Sequence, residues 1–242
     1  MTKLSVNVNK FATLRNARGG NNPDVLKMVL LIESLGVDGI TVHPRPDERH
    51  IKKSDVYLLK NNLKTEFNIE GYPSKDFIAL VNEIRPEQVT LVPDPPHVIT
   101  SNAGFKLQED FLKVKHAVAS IKPSGARVSL FIEPLDFKHR SLDIIKETGA
   151  DRVELYTERY ASSPKDSHVL EDYYRMAHGV KKLGMGINAG HDLDLDNLGA
   201  LLDAIPIIDE VSIGHALVCD ALIMGIKETI SKYLAIAHKA RS

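Results

Sequence analysis

The chain has 242 residues, 43% hydrophobic and 26% charged, enough for one ordinary core and a length typical of a single eight-fold β/α barrel. A formal net charge of -1 provides no field to attract nucleic acid or an anionic membrane, so neither is an expected partner and any phosphate binding must be local. The single cysteine, Cys219, excludes an internal disulfide and a multi-cysteine metal cluster.

The amino-terminal stretch MTKLSVNVNK lacks the apolar segment of a signal peptide, and no run of about 18 apolar residues is present to span a bilayer. A cytoplasmic protein is expected. Eight short aliphatic or β-branched runs then follow in order: LSVNVN to Asn9, GITVH to His43, FNIE to Glu70, QVTLVPD to Asp94, RVSLFIE to Glu133, RVELYTE to Glu158, GINAGH to His191 and VSIGH to His215. Most end on a polar or ionisable residue before a helical pattern begins. Eight β/α alternations predict an α/β fold, a (β/α)8 TIM barrel with chemistry at the carboxyl ends of its strands. No linker or low-complexity tract interrupts the series, so residues 1–242 are expected to form a single domain.

Between the strands the period changes to that of helices. Leu107, Phe111, Val114, Val118 and Ile121 share one face, as do Val169, Tyr173, Met176, Val180 and Leu183. Gly36, Gly149 and Gly184 stand where such helices should stop. LGVDGITVH (Leu35 to His43) echoes TGADRVELY (Thr148 to Tyr156) four strands later, and NAGH (Asn188 to His191) echoes SIGH (Ser212 to His215). A glycine before each histidine could simply ease a strand-to-loop turn. The repetition on the last two strands instead suggests the phosphate site that loops after strands seven and eight often build.

Glu70 closes an apolar strand, so its carboxylate should be partly desolvated at the barrel mouth and suited to proton transfer near neutrality; an ion pair with an arginine is the structural alternative. His43 is followed by PRPDERH, which gathers Arg45, Arg49 and His50 in a proline-stiffened loop suited to phosphate oxygens. After the first strand, Arg15 and Arg18 lie three apart in a segment closed by Gly-Gly, where a helix carrying both on its outer face would be ordinary. Two histidines and a glutamate could bind a metal, but no H-x-H or H-E-x-x-H spacing occurs, and Lys10 is the lone candidate for a Schiff base near the mouth.

Taken together, ATLRNARG (Ala12 to Gly19), DGITVHPRPDERHI (Asp38 to Ile51), FNIE, LVP (Leu91 to Pro93), VSLFIE (Val128 to Glu133), INAGH (Ile187 to His191) and IGHA (Ile213 to Ala216) resemble the pyridoxine 5′-phosphate synthase family almost end to end. The resemblance implies condensation of 3-amino-2-oxopropyl phosphate with 1-deoxy-D-xylulose 5-phosphate to pyridoxine 5′-phosphate, phosphate and water. It also implies a barrel with extra helices, a homo-octamer, and no metal or other cofactor. Position by position, His43 and Glu70 match proton acceptors and His191 the proton donor. Asn7, Arg18, Asp192, Gly214 and His215 fall on positions for the amino-oxopropyl phosphate. Asn9, Lys10, Arg45, His50 and Thr100 fall on those for the deoxyxylulose phosphate. The chain departs from the family at Asn9-Lys10, where Asp-His is usual, at Asp192, often glycine, and at Glu158, where TGxYA reads TERYA. The segment from His97 to Gly104 is the expected closing loop. Rival expectations are a sugar-phosphate aldolase or isomerase, separable by the need for both substrates, and a non-catalytic phosphate- or vitamer-binding paralogue, against which the intact acid–base trio counts.

Overall fold

A computed structural model describes residues 1–94, 103–134 and 142–239. Eight parallel strands close into a barrel in chain order: β1 (Lys3–Asn7), β2 (Gly39–Val42), β3 (Glu66–Gly71), β4 (Gln88–Leu91), β5 (Arg127–Ile132), β6 (Arg152–Tyr156), β7 (Gly186–Gly190) and β8 (Glu210–Ile213). Closure is visible at Val6, which pairs with Ile40 on one side and Ile213 on the other. Around the barrel run α1 (Asn9–Arg18), α2 (Val25–Ser34), α3 (Lys53–Lys60), α4 (Lys75–Ile84), α5 (Leu107–Ile121), α6 (Asp143–Glu147), α7 (Glu158–Ser162), α8 (Ser167–Lys182), α9 (Leu198–Ala204), α10 (His215–Met224) and α11 (Ile226–Ala237). Extra helices α1, α7 and α10 each directly follow a strand, ahead of the helix that returns the chain.

Strand alternation sorts the two faces of the wall. Leu4, Val6, Ile40, Phe67, Ile69, Val89, Leu91, Val128, Leu130, Val153, Leu155, Ile187 and Val211 are fully buried under the helices. The inward face is polar, unlike the aliphatic layers that usually fill such barrels. Ser5 and Thr41 share a hydrogen bond of 2.7 Å, Asn68 donates to Thr41 at 3.3 Å, and Thr90 donates to Asn68 at 3.2 Å and across the barrel to Glu154 at 3.3 Å. Gln88 reaches Glu210 from the opposite wall at 3.4 Å. Each such bond offsets the desolvation of groups that would otherwise be costly inside.

The periodic faces expected for α5 and α8 are the buried ones, apart from Phe111 and Leu183, which sit at the margin. Gly36, Gly149 and Gly184 follow helices with φ of +92°, +81° and +74°, a conformation in which a side chain would be strained. The LGVDGITVH echo has a structural cause at the base of the barrel. Asp38 accepts the N–H of Leu4 at 2.8 Å, Glu87 that of Phe67 at 3.0 Å, Asp151 that of Val128 at 2.7 Å and Asp209 that of Ile187 at 2.8 Å. An acidic residue before every even-numbered strand thus caps the start of the strand behind it. Its backbone carbonyl takes the first N–H of the strand ahead, at 3.2, 3.1, 3.0 and 2.9 Å for Glu66, Arg127, Gly186 and Lys3. Basic partners His238, Lys60, Lys122 and Lys181 pair with the four acids in turn.

Several strand ends fall earlier than the sequence suggests. Asn9 lies in α1, because the Asn7 side chain accepts the Asn9 N–H at 3.1 Å and turns the chain out of β1. Glu158 and His215 open α7 and α10, and Asp94 and Glu133 follow the ends of β4 and β5. The outer-face placement of Arg15 is also corrected. Arg15 is 4% exposed and its guanidinium forks onto both Asp55 oxygens at 2.7 and 2.9 Å, while Arg18 is exposed at the helix end. Among the described residues no helix is long and apolar enough to cross a membrane.

Candidate active site

All eight strands point the same way, so residues at their carboxyl ends share one rim. The register pairs Val42 with Ile69, which brings the next residues, His43 and Glu70, side by side on the inner wall. Asn7 on β1 adjoins them and donates to Glu70 at 3.4 Å. Asn9 accepts the His43 backbone N–H at 2.9 Å, so its side chain fixes the start of the 43–52 loop. The His43 and His50 rings stand edge to face with centroids 6.1 Å apart.

Burial, reinforced by the charges of Arg45, His50 and Arg49, drops the His43 pKa to about 3. Its imidazole is therefore neutral at physiological pH. His50 is lowered to about 4, first by burial and then by Arg45 and Lys10, which places both cations within electrostatic reach of that loop. Arg49 is engaged with Asp47 at 2.7 Å. Arg45 is 5% exposed and lies within electrostatic reach of Asp94 and Asp47.

Glu70 is pushed well above the ordinary carboxylate range, chiefly by desolvation and then by Glu154, Asp94 and Glu210. No arginine pairs with it among the described residues, so the ion-pair alternative is not what the structure displays. Glu154 was not singled out by sequence because it lies in mid-strand, where an inward carboxylate looks like any exposed alternation residue. Burial, with Glu210 adding repulsion, raises it to about 8. Two carboxyls facing one interior cannot both ionise easily, so near neutrality the pair retains a proton.

That protonation links to stability. The unfolded Glu154 releases its proton near 4.5 and the folded one near 8, so its stabilising contribution is full below 4.5 and is lost as pH rises through 8. Glu154→Gln is therefore expected to flatten the fall in Tm between those two pH values. Parallel Tm curves for parent and variant would show that Glu154 does not titrate in that window.

The two glycine–histidine pairs are explained by space. Gly190 and Gly214 do not need a positive φ. A Cβ on Gly190 would lie 2.4 Å from the Glu154 carboxyl, and one on Gly214 3.0 Å from Asn7. Each glycine lets a rim side chain stand where it does. Beyond Gly190, His191 lies edge-on to Tyr156 at 5.1 Å and tilted to Phe131 at 6.1 Å, and its Nδ1 is 2.9 Å from Asp192. His215 is exposed at the start of α10, within electrostatic reach of Asp192, whose pKa is held low first by the hydrogen bond with His191.

His43, Glu70, His191, Asn7, Asn9, Arg45, His50, Asp192, Gly214 and His215 thus lie on or beside one rim, with Lys10 next to Asn9. Arg18 is exposed at the end of α1, about 13 Å along the helix from Asn9, and α1 packs against α10, which begins at His215. Thr100 and most of the segment proposed as a closing loop lie outside the described residues. The sixth-strand departure, Glu158, accepts from Ser162 at 3.0 Å within α7. Among the described residues no group of three or more His, Cys, Asp or Glu side chains is arranged to hold a metal ion.

A neutral buried imidazole beside a protonatable carboxyl, ringed by cations at the carboxyl end of a closed parallel barrel, defines a TIM-barrel enzyme of the acid–base type. Residues 4–239 match the family described as Pyridoxal phosphate biosynthesis protein PdxJ, and the chain belongs to that family. It is 54% identical over 236 residues to the pyridoxine 5′-phosphate synthase of Cytophaga hutchinsonii, covering 97% of this chain and 98% of that one. The enzyme of the same name from Porphyromonas gingivalis is 55% identical over 236 residues, covering 96% and 98%. Among solved structures, 3-hexulose-6-phosphate synthase from Salmonella typhimurium superposes with a TM-score of 0.66 at 15% identity, covering 96% of this chain and 98% of that one, a likeness of fold alone.

Proposed function

We propose that the protein is a pyridoxine 5′-phosphate synthase that joins 3-amino-2-oxopropyl phosphate to 1-deoxy-D-xylulose 5-phosphate, releasing phosphate and water. The observation that carries this reading is the pairing of a neutral, buried His43 with Glu70, whose carboxyl is pushed well above the ordinary carboxylate range by burial and neighbouring acids, within a full-length match to the family. An amine–ketone condensation, eliminations and a ring closure need proton acceptors, proton donors and anion clamps, and each has a candidate here. In this reading His43 and Glu70 accept protons as water and the sugar-derived phosphate depart, and His191 donates in the closing dehydration. Asn7, Arg18, Gly214 and His215 hold the amine substrate, with Asp192 beside them. Lys10, Arg45, His50 and Thr100 hold the sugar phosphate, and Asn9 shapes their loop.

Incubation with both substrates, following the pyridoxine chromophore and inorganic phosphate together, tests the reading. Product from the sugar phosphate alone would favour an aldolase or isomerase instead. Lys10→Ala is expected to raise KM for the deoxyxylulose phosphate more than for the amine. The reverse order would place Lys10 in the other pocket. A cytoplasmic homo-octamer is part of the same proposal, and Leu222 and Ile223 on α10, 76% and 85% exposed, support burial of that helix against a second copy.

A further inference from the structure

His191 and Asp192 leave β7 with φ of +82° and +56°, two successive left-handed residues of which neither is glycine. Such a backbone persists only where its surroundings impose it. Here the Thr157 hydroxyl donates to the Gly190 carbonyl at 2.7 Å and also bonds the His191 carbonyl. The Thr157 N–H adds a bond to Gly190 at 3.1 Å, and the Asn197 amide holds the Asp192 carbonyl at 3.1 Å. The turn has a geometric result: it folds the Asp192 carboxylate back onto Nδ1 of its own neighbour at 2.9 Å. With Tyr156 and Phe131 against the ring, the imidazole is fixed in rotation, and among the described residues Nε2 has no partner.

Building on the reading of His191 as proton donor, we propose that Asp192 is a positioning residue whose carboxylate accepts the Nδ1–H, presents Nε2 to the substrate and stabilises the imidazolium. A carboxylate that orients a histidine in this way selects the tautomer and favours the charged ring. Its bond to His191 holds the Asp192 pKa below the ordinary carboxylate range, so it is an anion at neutral pH. An anion there repels a phosphate, which argues for action through His191 and against direct contact with the substrate phosphate. The other titratable groups facing the pair are His215 on α10 and Tyr156 on β6, and Glu158, Glu133 and Asp94 reach Tyr156 in turn.

Asp192→Gly removes the carboxylate and suits the left-handed backbone, so any loss reports the side chain and not strain. It is expected to lower kcat by about 10–100-fold, the scale seen when a group that orients a histidine is removed, with KM for both substrates little changed. Asp192→Asn keeps a carbonyl acceptor and tolerates the same φ, so it should recover part of the loss while displacing the alkaline limb of the kcat/KM profile, where the proton donor deprotonates. Imidazole ¹⁵N spectra should show His191 as the Nδ1–H tautomer in the parent and a shift toward Nε2–H in Asp192→Gly. An unchanged kcat in Asp192→Gly, or a change confined to KM for the amine substrate, would overturn the proposal. So would the same fold-loss when Asp192→Gly is introduced into His191→Ala, since the effect would then not pass through the ring. Full turnover in His191→Ala would instead overturn the role of His191 itself, and with it any catalytic use of Asp192.

Discussion

Glu70→Gln is expected to retain binding of both phosphorylated substrates and lose about 10²–10⁴-fold in kcat, the range for one positioned acid–base group. The substitution keeps the shape of the side chain and the hydrogen bond from Asn7 but removes the ionisable carboxyl whose pKa burial and Glu154 raise. Because the anion-binding groups lie on other segments, at Arg45, His50 and Lys10, calorimetric titration of each substrate should give nearly parental affinity. Parental turnover would take Glu70 out of the mechanism. A loss of affinity equal to the loss in rate would make it a binding residue.

Arg15→Ala is expected to destabilise the fold by about 3–5 kcal/mol, the cost of leaving one partner of a buried ion pair alone. Against a typical total of about 5–15 kcal/mol this is a large share. The Arg15 and Asp55 side chains are 5% and 10% exposed, and the guanidinium also donates to the His50 carbonyl at 3.2 Å. Asp55 in turn accepts the Lys52 N–H at 2.8 Å, and Asn16 holds the His50 carbonyl at 2.8 Å. The pair therefore ties α1 to α3 and pins the loop carrying Arg45 and His50. Urea unfolding measures the loss, and Arg15→Lys should rescue little of it because an ammonium cannot fork onto both oxygens. A shift below about 1 kcal/mol would place the pair with ordinary surface bridges.

The order of all eight strands was legible because strand and helix periods alternate without interruption, and so were the rim residues His43, Glu70 and His191, which follow or close those strands. Boundaries were less so. Asn9, Glu158 and His215 look like strand ends from composition, yet each begins a helix, since hydrogen bonding by Asn7 and the turns after β6 and β8 end the ladder sooner. Arg15 reads as a surface residue because its partner Asp55 is 40 positions away and nothing local marks the pair. Glu154 escaped for a related reason: its environment is made by strands β4 and β8, not by its sequence neighbours. The glycines before His191 and His215 were visible as a repeat, but their purpose, leaving room for Glu154 and Asn7, required the packed barrel.

The four acids beneath the barrel give it an uneven division of labour. Every odd-numbered strand begins between two grips, a carboxylate from one neighbour and a carbonyl from the other, so a single lesion at that end loosens one hold of two. Such redundancy anchors the foot of every second stave. A substitution at the opposite end leaves both grips in place, so side chains there can change without unseating the wall that carries them.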